Sequence, residues 1–179
     1  MSTDLTGKKI AFVLTNGVEQ IELTSPRGAL DQAGATTHIV SPAGDHLTAM
    51  QGDWDHADTF TVDVAIDKAD ASDYDLLVLP GGTLNADTLR IDEDAQRFVQ
   101  AFFDADKPVA AICHAPWMLA QIGVARGRRL TSYIATKVDL ENAGADWVDE
   151  SVVVDGNLIT SRDPDDLDDF NAAIAKALS

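Results

Sequence analysis

Val109-Ala110-Ala111-Ile112-Cys113-His114-Ala115-Pro116 is the stretch on which the fold turns. Four small or apolar residues, Val109 to Ile112, read as a short strand buried on both faces. The chain's single cysteine follows, and a histidine comes directly after it. Pro116 suits the first turn of a helix, where its missing N–H costs nothing, and residues 117–122 continue that helix with apolar side chains. Cys113 is therefore expected where a strand turns sharply into a helix, at the carboxyl edge of a sheet. There the helix N-terminus and unpaired backbone N–H groups favour a thiolate, the nucleophilic form of cysteine. The same N–H groups can hold an oxyanion. The arrangement parallels the strained strand–nucleophile–helix elbow of serine hydrolases. A lone cysteine by itself reads as readily as a small buried hydrophobe; its strand-to-helix setting argues for chemistry.

Outward from this elbow, other strands have the same character. Lys9-Ile10-Ala11-Phe12-Val13-Leu14 is nearly continuous in apolar residues, as expected at the centre of a parallel sheet. Asp75-Leu76-Leu77-Val78-Leu79-Pro80-Gly81-Gly82 is a core strand ending in a glycine turn, and Thr37-His38-Ile39-Val40-Ser41 is another strand. Ser25-Pro26 resembles a helix N-cap with proline in the first turn, although a start near Glu22 fits as well. Gly34 ends that helix. Residues 42–59 look irregular, and 60–66 alternate as a short strand. Ala95, Phe98, Val99 and Phe102 have helical spacing within 94–104, and a further helix is expected around 135–142. Trp147-Val148 and Ser151-Val152-Val153-Val154 read as strands, with a hairpin turn at Asp155-Gly156-Asn157. Leu167, Phe170, Ile174 and Leu178 line one face of a C-terminal helix. Strands and helices alternating in this way predict an α/β doubly wound fold, with a mostly parallel sheet flanked by helices. Ligands of such sheets bind outside the carboxyl ends of the strands. Three turns are expected to meet there: residues 15–22, Gly81-Gly82 and Cys113-His114. The glycine pair does not form a dinucleotide fingerprint.

The chain has 179 residues, a length that suits one domain over 1–179. One cysteine excludes an internal disulfide, which fits a reducing compartment. Residues 1–9 are polar and lead directly into a strand, with no apolar core of a signal peptide and no membrane-length span. Cytoplasmic residence is expected. The net charge of −17 argues against nucleic acid as a partner. Asp163-Pro164-Asp165-Asp166-Leu167-Asp168-Asp169 reads as a solvated acidic face, without the spacing of a cation loop. His38, His46 and His56 have no zinc-ligand spacing. No metal is expected.

The sequence resembles the PfpI family, within the broader superfamily of Parkinsonism-associated deglycase and the class I glutamine amidotransferase-like domains. The residues that carry the likeness are Gly17-Val18-Glu19-Gln20-Ile21-Glu22, Leu79-Pro80-Gly81-Gly82 and Ala111-Ile112-Cys113-His114-Ala115-Pro116. Gly127-Arg128-Arg129-Leu130-Thr131-Ser132-Tyr133, Asn142-Ala143-Gly144-Ala145, Val152-Val153-Val154-Asp155-Gly156-Asn157 and Thr160-Ser161-Arg162 extend it nearly end to end. Ala115 departs from the glycine usual after the histidine. The resemblance implies a flavodoxin-like fold and a homodimer or larger homo-oligomer. It implies Cys113 as nucleophile, Glu19 as the acid approaching the thiol, and His114 paired with an acid from the neighbouring subunit. Asp87 is the best match for that acid. The Gly82 and His114 N–H groups are candidates for the oxyanion hole. Trp117 and Tyr133 are expected chiefly as packing residues.

Three functions follow from these expectations. The leading one is a cofactor-independent enzyme of stress protection, in which the thiolate attacks a small reactive carbonyl or its adduct on a protein. This glyoxalase or deglycase chemistry is implied by the resemblance. The second is an intracellular cysteine peptidase acting on protein or peptide through Cys113, His114 and Asp87. The third is a redox sensor or chaperone that uses an oxidisable cysteine. No membrane partner is expected.

Overall fold

A computed structural model describes residues 4–179. The first three residues of the polar segment 1–9 lie outside the described residues. The chain runs β1 (Lys9–Val13), α1 (Gln20–Gln32), β2 (Thr36–Ser41), β3 (His46–Gln51), β4 (Asp55–Thr61), β5 (Val64–Ala65) and β6 (Leu76–Leu79). It continues through α2 (Thr83–Arg90), α3 (Glu93–Asp104), β7 (Val109–Ile112), α4 (Trp117–Gln121), β8 (Arg129–Leu130) and α5 (Lys137–Asn142). β9 (Asp146–Trp147), β10 (Val152–Asp155), β11 (Leu158–Ser161) and α6 (Leu167–Ala177) complete it.

Seven strands form one sheet in the order β10-β11-β7-β6-β1-β2-β5. Every pairing in it is parallel except β10 with β11. The chain moves outward from β1 to β2 and β5, then returns to the other side of β1 as β6. That reversal makes the crevice between β1 and β6 a topological switch point, where open α/β sheets hold their ligands.

Alternation along the strands explains how both faces are covered. Ile10 and Phe12 of β1, Leu76 and Val78 of β6, and Ala110 and Ile112 of β7 pack on one face with Leu23 and Leu30 of α1 and Phe170 and Ile174 of α6. Ala11 and Val13, Leu77 and Leu79, and Val109 and Ala111 pack on the other, against Leu89 of α2 and Phe98, Val99 and Phe102 of α3. Each fully buried aromatic such as Phe102 contributes roughly 1.5–3 kcal/mol relative to exposure. The Asp92 side chain caps α3 by accepting the Ala95 N–H at 2.8 Å.

Two expectations need correction. Residues 42–59 are not irregular: β3 and β4 pair antiparallel as a two-stranded hairpin, with a register shift between Thr48 and Met50. It was illegible because β4, Asp55-His56-Ala57-Asp58-Thr59-Phe60-Thr61, lies mostly exposed and carries no apolar alternation. The hairpin is anchored by long-range backbone bonds, Gly17 N–H to the Thr48 carbonyl at 2.9 Å and Met50 N–H to the Val18 carbonyl at 2.8 Å. Of the two starts the sequence allowed for the first helix, Ser25-Pro26 is not the one used, and the start lies close to Glu22 instead. The helix begins at Gln20 and carries Pro26 inside it, where the ring turns to the buried face with Glu22, Leu23 and Leu30.

Candidate active site

Cys113 has φ 62°, a left-handed backbone conformation that residues other than glycine rarely adopt. The backbone bonds around it explain how the turn is held. Cys113 N–H donates to the Ser161 carbonyl at 3.2 Å, and the Cys113 carbonyl accepts the Tyr133 N–H at 2.9 Å. The elbow expected from the sequence is therefore pinned by β11 on one side and by the segment before α5 on the other. Ala115 is buried and packs into the second-face core, so the methyl that departs from the family's glycine fills core space.

The acid beside the thiol is Glu22, not Glu19. Glu22 is fully buried on the inward face of α1, and its Oε2 accepts the Gly81 N–H at 2.7 Å. Its Oε1 has no partner beyond the neighbourhood of the thiol. Glu19 is the N-cap residue of α1, outside the helix proper. Its carboxylate accepts the Gly52 N–H of the β3–β4 turn at 2.9 Å. Starting α1 at Gln20 rotates Glu22 onto the stripe of Pro26 and Leu30, four and eight residues on, and leaves Glu19 facing the hairpin. The i, i+4, i+8 spacing of Glu22, Pro26 and Leu30 was the sequence signal that could have found this.

Burial dominates the electrostatics. It pushes the Glu22 carboxyl up to about 8, assisted by the nearby Glu19 and Asp53 charges and opposed by the Gly81 N–H. Burial also pushes the Cys113 thiol well up, followed by the charge and hydrogen bond of Glu22, while the Gly82 and His114 N–H groups act the other way. Cys113 is only 7% exposed. The resting pair is thus a protonated thiol beside a carboxyl that still holds its proton at neutral pH. This corrects the expectation that the helix terminus and the backbone N–H groups ionise the thiol at rest: burial outweighs them. The two N–H groups that favour the charged sulfur are those expected to line an oxyanion hole.

His114 also meets the sulfur, with Nδ1 3.2 Å from Sγ. Its ring stacks on Tyr133 at 4.8 Å and meets Trp117 edge-on at 5.4 Å. Both aromatics are therefore walls of the site rather than core packing alone. Trp117 Nε1 donates to Asp139 at 2.9 Å. Burial lowers the His114 pKa, opposed by Asp53. His114 Nε2 lies 3.3 Å from the Thr83 hydroxyl, which donates to Asp53 Oδ2 at 2.7 Å. Asp87 makes no such contact in its own chain: it is exposed on α2, one turn past Thr83. The acid that reaches His114 within one chain is Asp53, carried by the turn of the hairpin that the sequence left unread.

Asn85, also missed, ties the loops together. Fully buried, it accepts the Thr15 N–H at 2.7 Å and donates to the Pro80 and Gly81 carbonyls at 3.0 and 2.9 Å. An amide offers an acceptor oxygen and two donor hydrogens from one short side chain, where a hydroxyl has a single hydrogen to give. His38 is bound to the Tyr74 hydroxyl at 3.1 Å, away from the elbow, and His46 and His56 lie on β3 and β4.

The fold is shared with known proteins. The sequence profile of the DJ-1/PfpI family matches residues 8–177. The chain belongs to the DJ-1/PfpI family. An uncharacterized protein of Staphylococcus epidermidis is 45% identical over 173 residues, 96% of this chain and 98% of that protein. Among solved structures, a two-domain protein of Anabaena variabilis containing DJ-1/ThiJ/PfpI-like and ferritin-like domains superimposes with TM-score 0.89 and 37% identity, over 96% of this chain and 48% of that one. Drosophila melanogaster DJ-1beta superimposes with TM-score 0.86 and 32% identity, over 96% of this chain and 90% of that one. The α/β fold with its mostly parallel sheet is that of these DJ-1/PfpI structures. Among the described residues, no helix is long and apolar enough to cross a membrane.

Proposed function

We propose that this DJ-1/PfpI protein is a cysteine-dependent enzyme acting on small reactive carbonyls, of which 2-oxoaldehydes are the simplest. The observation that carries the reading is one sulfur flanked by a buried carboxyl and an imidazole, with two backbone N–H groups favouring its charged form. The family includes deglycases, proteases and stress proteins. A thiol only 7% exposed favours a small electrophile over a polypeptide chain.

The chemistry requires no group beyond these side chains and water. The thiol proton passes to His114 Nδ1, and the sulfur adds to the aldehyde carbon. The C=O electron pair moves onto oxygen, held by the Gly82 and His114 N–H groups, and Glu22 gives that oxygen its proton, leaving a hemithioacetal and a carboxylate. Bond formation removes the sulfur's charge, so Glu22 ionises more easily at that moment. Its carboxylate takes the proton from the former aldehyde carbon and returns it to the adjacent carbonyl carbon through an enediol. The resulting thioester is hydrolysed by water to a 2-hydroxy acid, and the thiol is restored. Assembly as a homodimer or larger homo-oligomer belongs to the same reading, and native mass spectrometry tests it.

The decisive experiment measures methylglyoxal loss and lactate formation by the native protein, Cys113→Ser and Glu22→Gln. Cys113→Ser is expected to be inactive, and Glu22→Gln to lose roughly 10²–10⁴-fold, the usual worth of a positioned acid–base group. Full activity in both variants, or casein hydrolysis by a native protein that leaves methylglyoxal untouched, overturns the reading.

A further inference from the structure

The hydrogen bonds around His114 have a direction. The Asp53 carboxylate accepts and does not donate, so the hydroxyl of Thr83, 2.7 Å from Oδ2, must donate to it. The Thr83 oxygen then has only lone pairs left for His114 Nε2 at 3.3 Å, and that nitrogen must carry the ring proton. In a neutral imidazole this leaves Nδ1 bare, and Nδ1 is the atom 3.2 Å from the Cys113 sulfur. The chain Asp53–Thr83–His114–Cys113 thus presents the thiol with an acceptor rather than a second donor.

Asp53 is itself firmly placed. It sits in the β3–β4 turn with φ 62°, one of three non-glycine residues with positive φ among the described residues, Cys113 being another. Its Oδ1 accepts the Thr83 N–H at 2.9 Å at the start of α2. The preceding residue, Gly52, is held by the Glu19 carboxylate at 2.9 Å. Glu19, displaced from the thiol, therefore anchors the turn that carries Asp53. The turn lies beside exposed Trp54 but is fixed from both sides.

We propose that Asp53, acting through the Thr83 hydroxyl, is the positioning acid of His114 within the same chain, so that each protomer carries its own complete Cys–His–acid relay. When the thiol proton moves to Nδ1, the imidazolium keeps its Nε2–H on Thr83, and the Asp53 charge stabilises it through that hydroxyl. No atom is needed from a neighbouring subunit. The other groups against the ring are Cys113 and the aromatic rings of Tyr133 and Trp117, and Trp117 in turn has the Arg90 guanidinium 5.4 Å from its own ring. Glu22 acts on the sulfur. The proposal rests on reading Cys113 as a nucleophile, but it is independent of which carbonyl is attacked.

The test therefore uses no substrate. It records the protonated nitrogen and pKa of the His114 imidazole by NMR on ring-labelled protein, assigned by its loss in His114→Gln. It also records the pH profile of Cys113 alkylation by iodoacetamide, read by mass spectrometry. Thr83→Val removes the hydroxyl but keeps the backbone bond to Asp53. It is expected to lower the His114 pKa by about one unit, to lose the Nε2–H preference, and to slow alkylation near neutral pH about tenfold. Asp53→Asn, which tolerates the left-handed turn, is expected to do the same, and Thr83→Ser to restore the native profile. Asp87→Asn is expected to leave all three readouts unchanged. If Thr83→Val keeps the native tautomer and profile, or if Asp87→Asn produces the shift in its place, the relay within one chain is wrong. Failure of methylglyoxal turnover would leave these results intact, so the two readings fail separately.

Discussion

Glu22 and Cys113 meet across Gly81. The Gly81 N–H donates to Glu22 Oε2 at 2.7 Å, and a Cβ at residue 81 would lie 2.5 Å from that oxygen and 2.7 Å from the Cys113 Cβ. The glycine is there because two reacting side chains occupy the space that any side chain of its own would need.

Gly81→Ala should therefore damage the site by steric contact. The Ile112 carbonyl, 2.8 Å from the same added methyl, is backbone and cannot swing away. A loss of about 1–3 kcal/mol, as for other overpacked cores, is expected in urea unfolding, together with loss of carbonyl turnover. An alanine variant with native stability and activity would mean that the crevice is wider than these distances allow.

Removing the carboxyl from the pair should make the thiol easier to ionise. Glu22 raises the Cys113 pKa through its charge and its hydrogen bond. Glu22→Gln should accordingly move the alkylation midpoint of Cys113 to lower pH, even while turnover collapses. Glu19→Gln, whose side chain holds the Gly52 N–H instead, should shift that midpoint far less. Equal shifts in the two variants would contradict the assignment.

Stability should fall with pH because of the same carboxyl. Glu22 ionises at about 8 in the folded chain against 4.5 for an ordinary glutamate. Between these values the native state keeps a proton that the unfolded state has released, so unfolding becomes easier as pH rises. The contribution is complete below the lower value and gone above the upper one, with a slope of up to about 1.4 kcal/mol per pH unit. Subtracting the urea stability of Glu22→Gln from that of the native protein across this window isolates the effect. A flat difference would show that Glu22 is ionised at neutral pH.

Asp92→Ala serves as the contrast outside the site. It removes the side chain that caps α3 at 2.8 Å, which should cost about 1 kcal/mol. Thermal unfolding should drop by roughly 2–4 °C for a chain of this size. The Cys113 alkylation profile should not move, because the bond lost lies at the N-terminus of α3, between Asp92 and Ala95.

Local pattern was enough to read the elbow. Strand, cysteine, histidine and proline follow one another in sequence, and the near neighbours that define the turn are the ones that shape it. The α3 stripe and the α6 stripe were legible for the same reason. The acid was misplaced in a motif that holds two glutamates: Glu19 was matched from the family likeness while the helix start stood open between Glu22 and Pro26, so nothing local told Glu19 from Glu22. Once α1 begins at Gln20, the three-residue offset separates a hairpin anchor from a buried carboxyl beside the thiol. Asn85 and Asp53 had no local signal at all, since Asn85 reaches Thr15 seventy residues back and Asp53 reaches Thr83 thirty residues on.

By itself the sequence determined the alternating strands and helices, the cysteine's place at the sheet's edge and the family, because apolar periodicity and turn residues act over a few positions. Only the tertiary structure decided which carboxyl faces the sulfur, which acid holds the imidazole and how strongly the thiol is protonated. Those depend on burial and on distances between segments far apart in the chain, and a buried charge takes its energy from whatever folds against it.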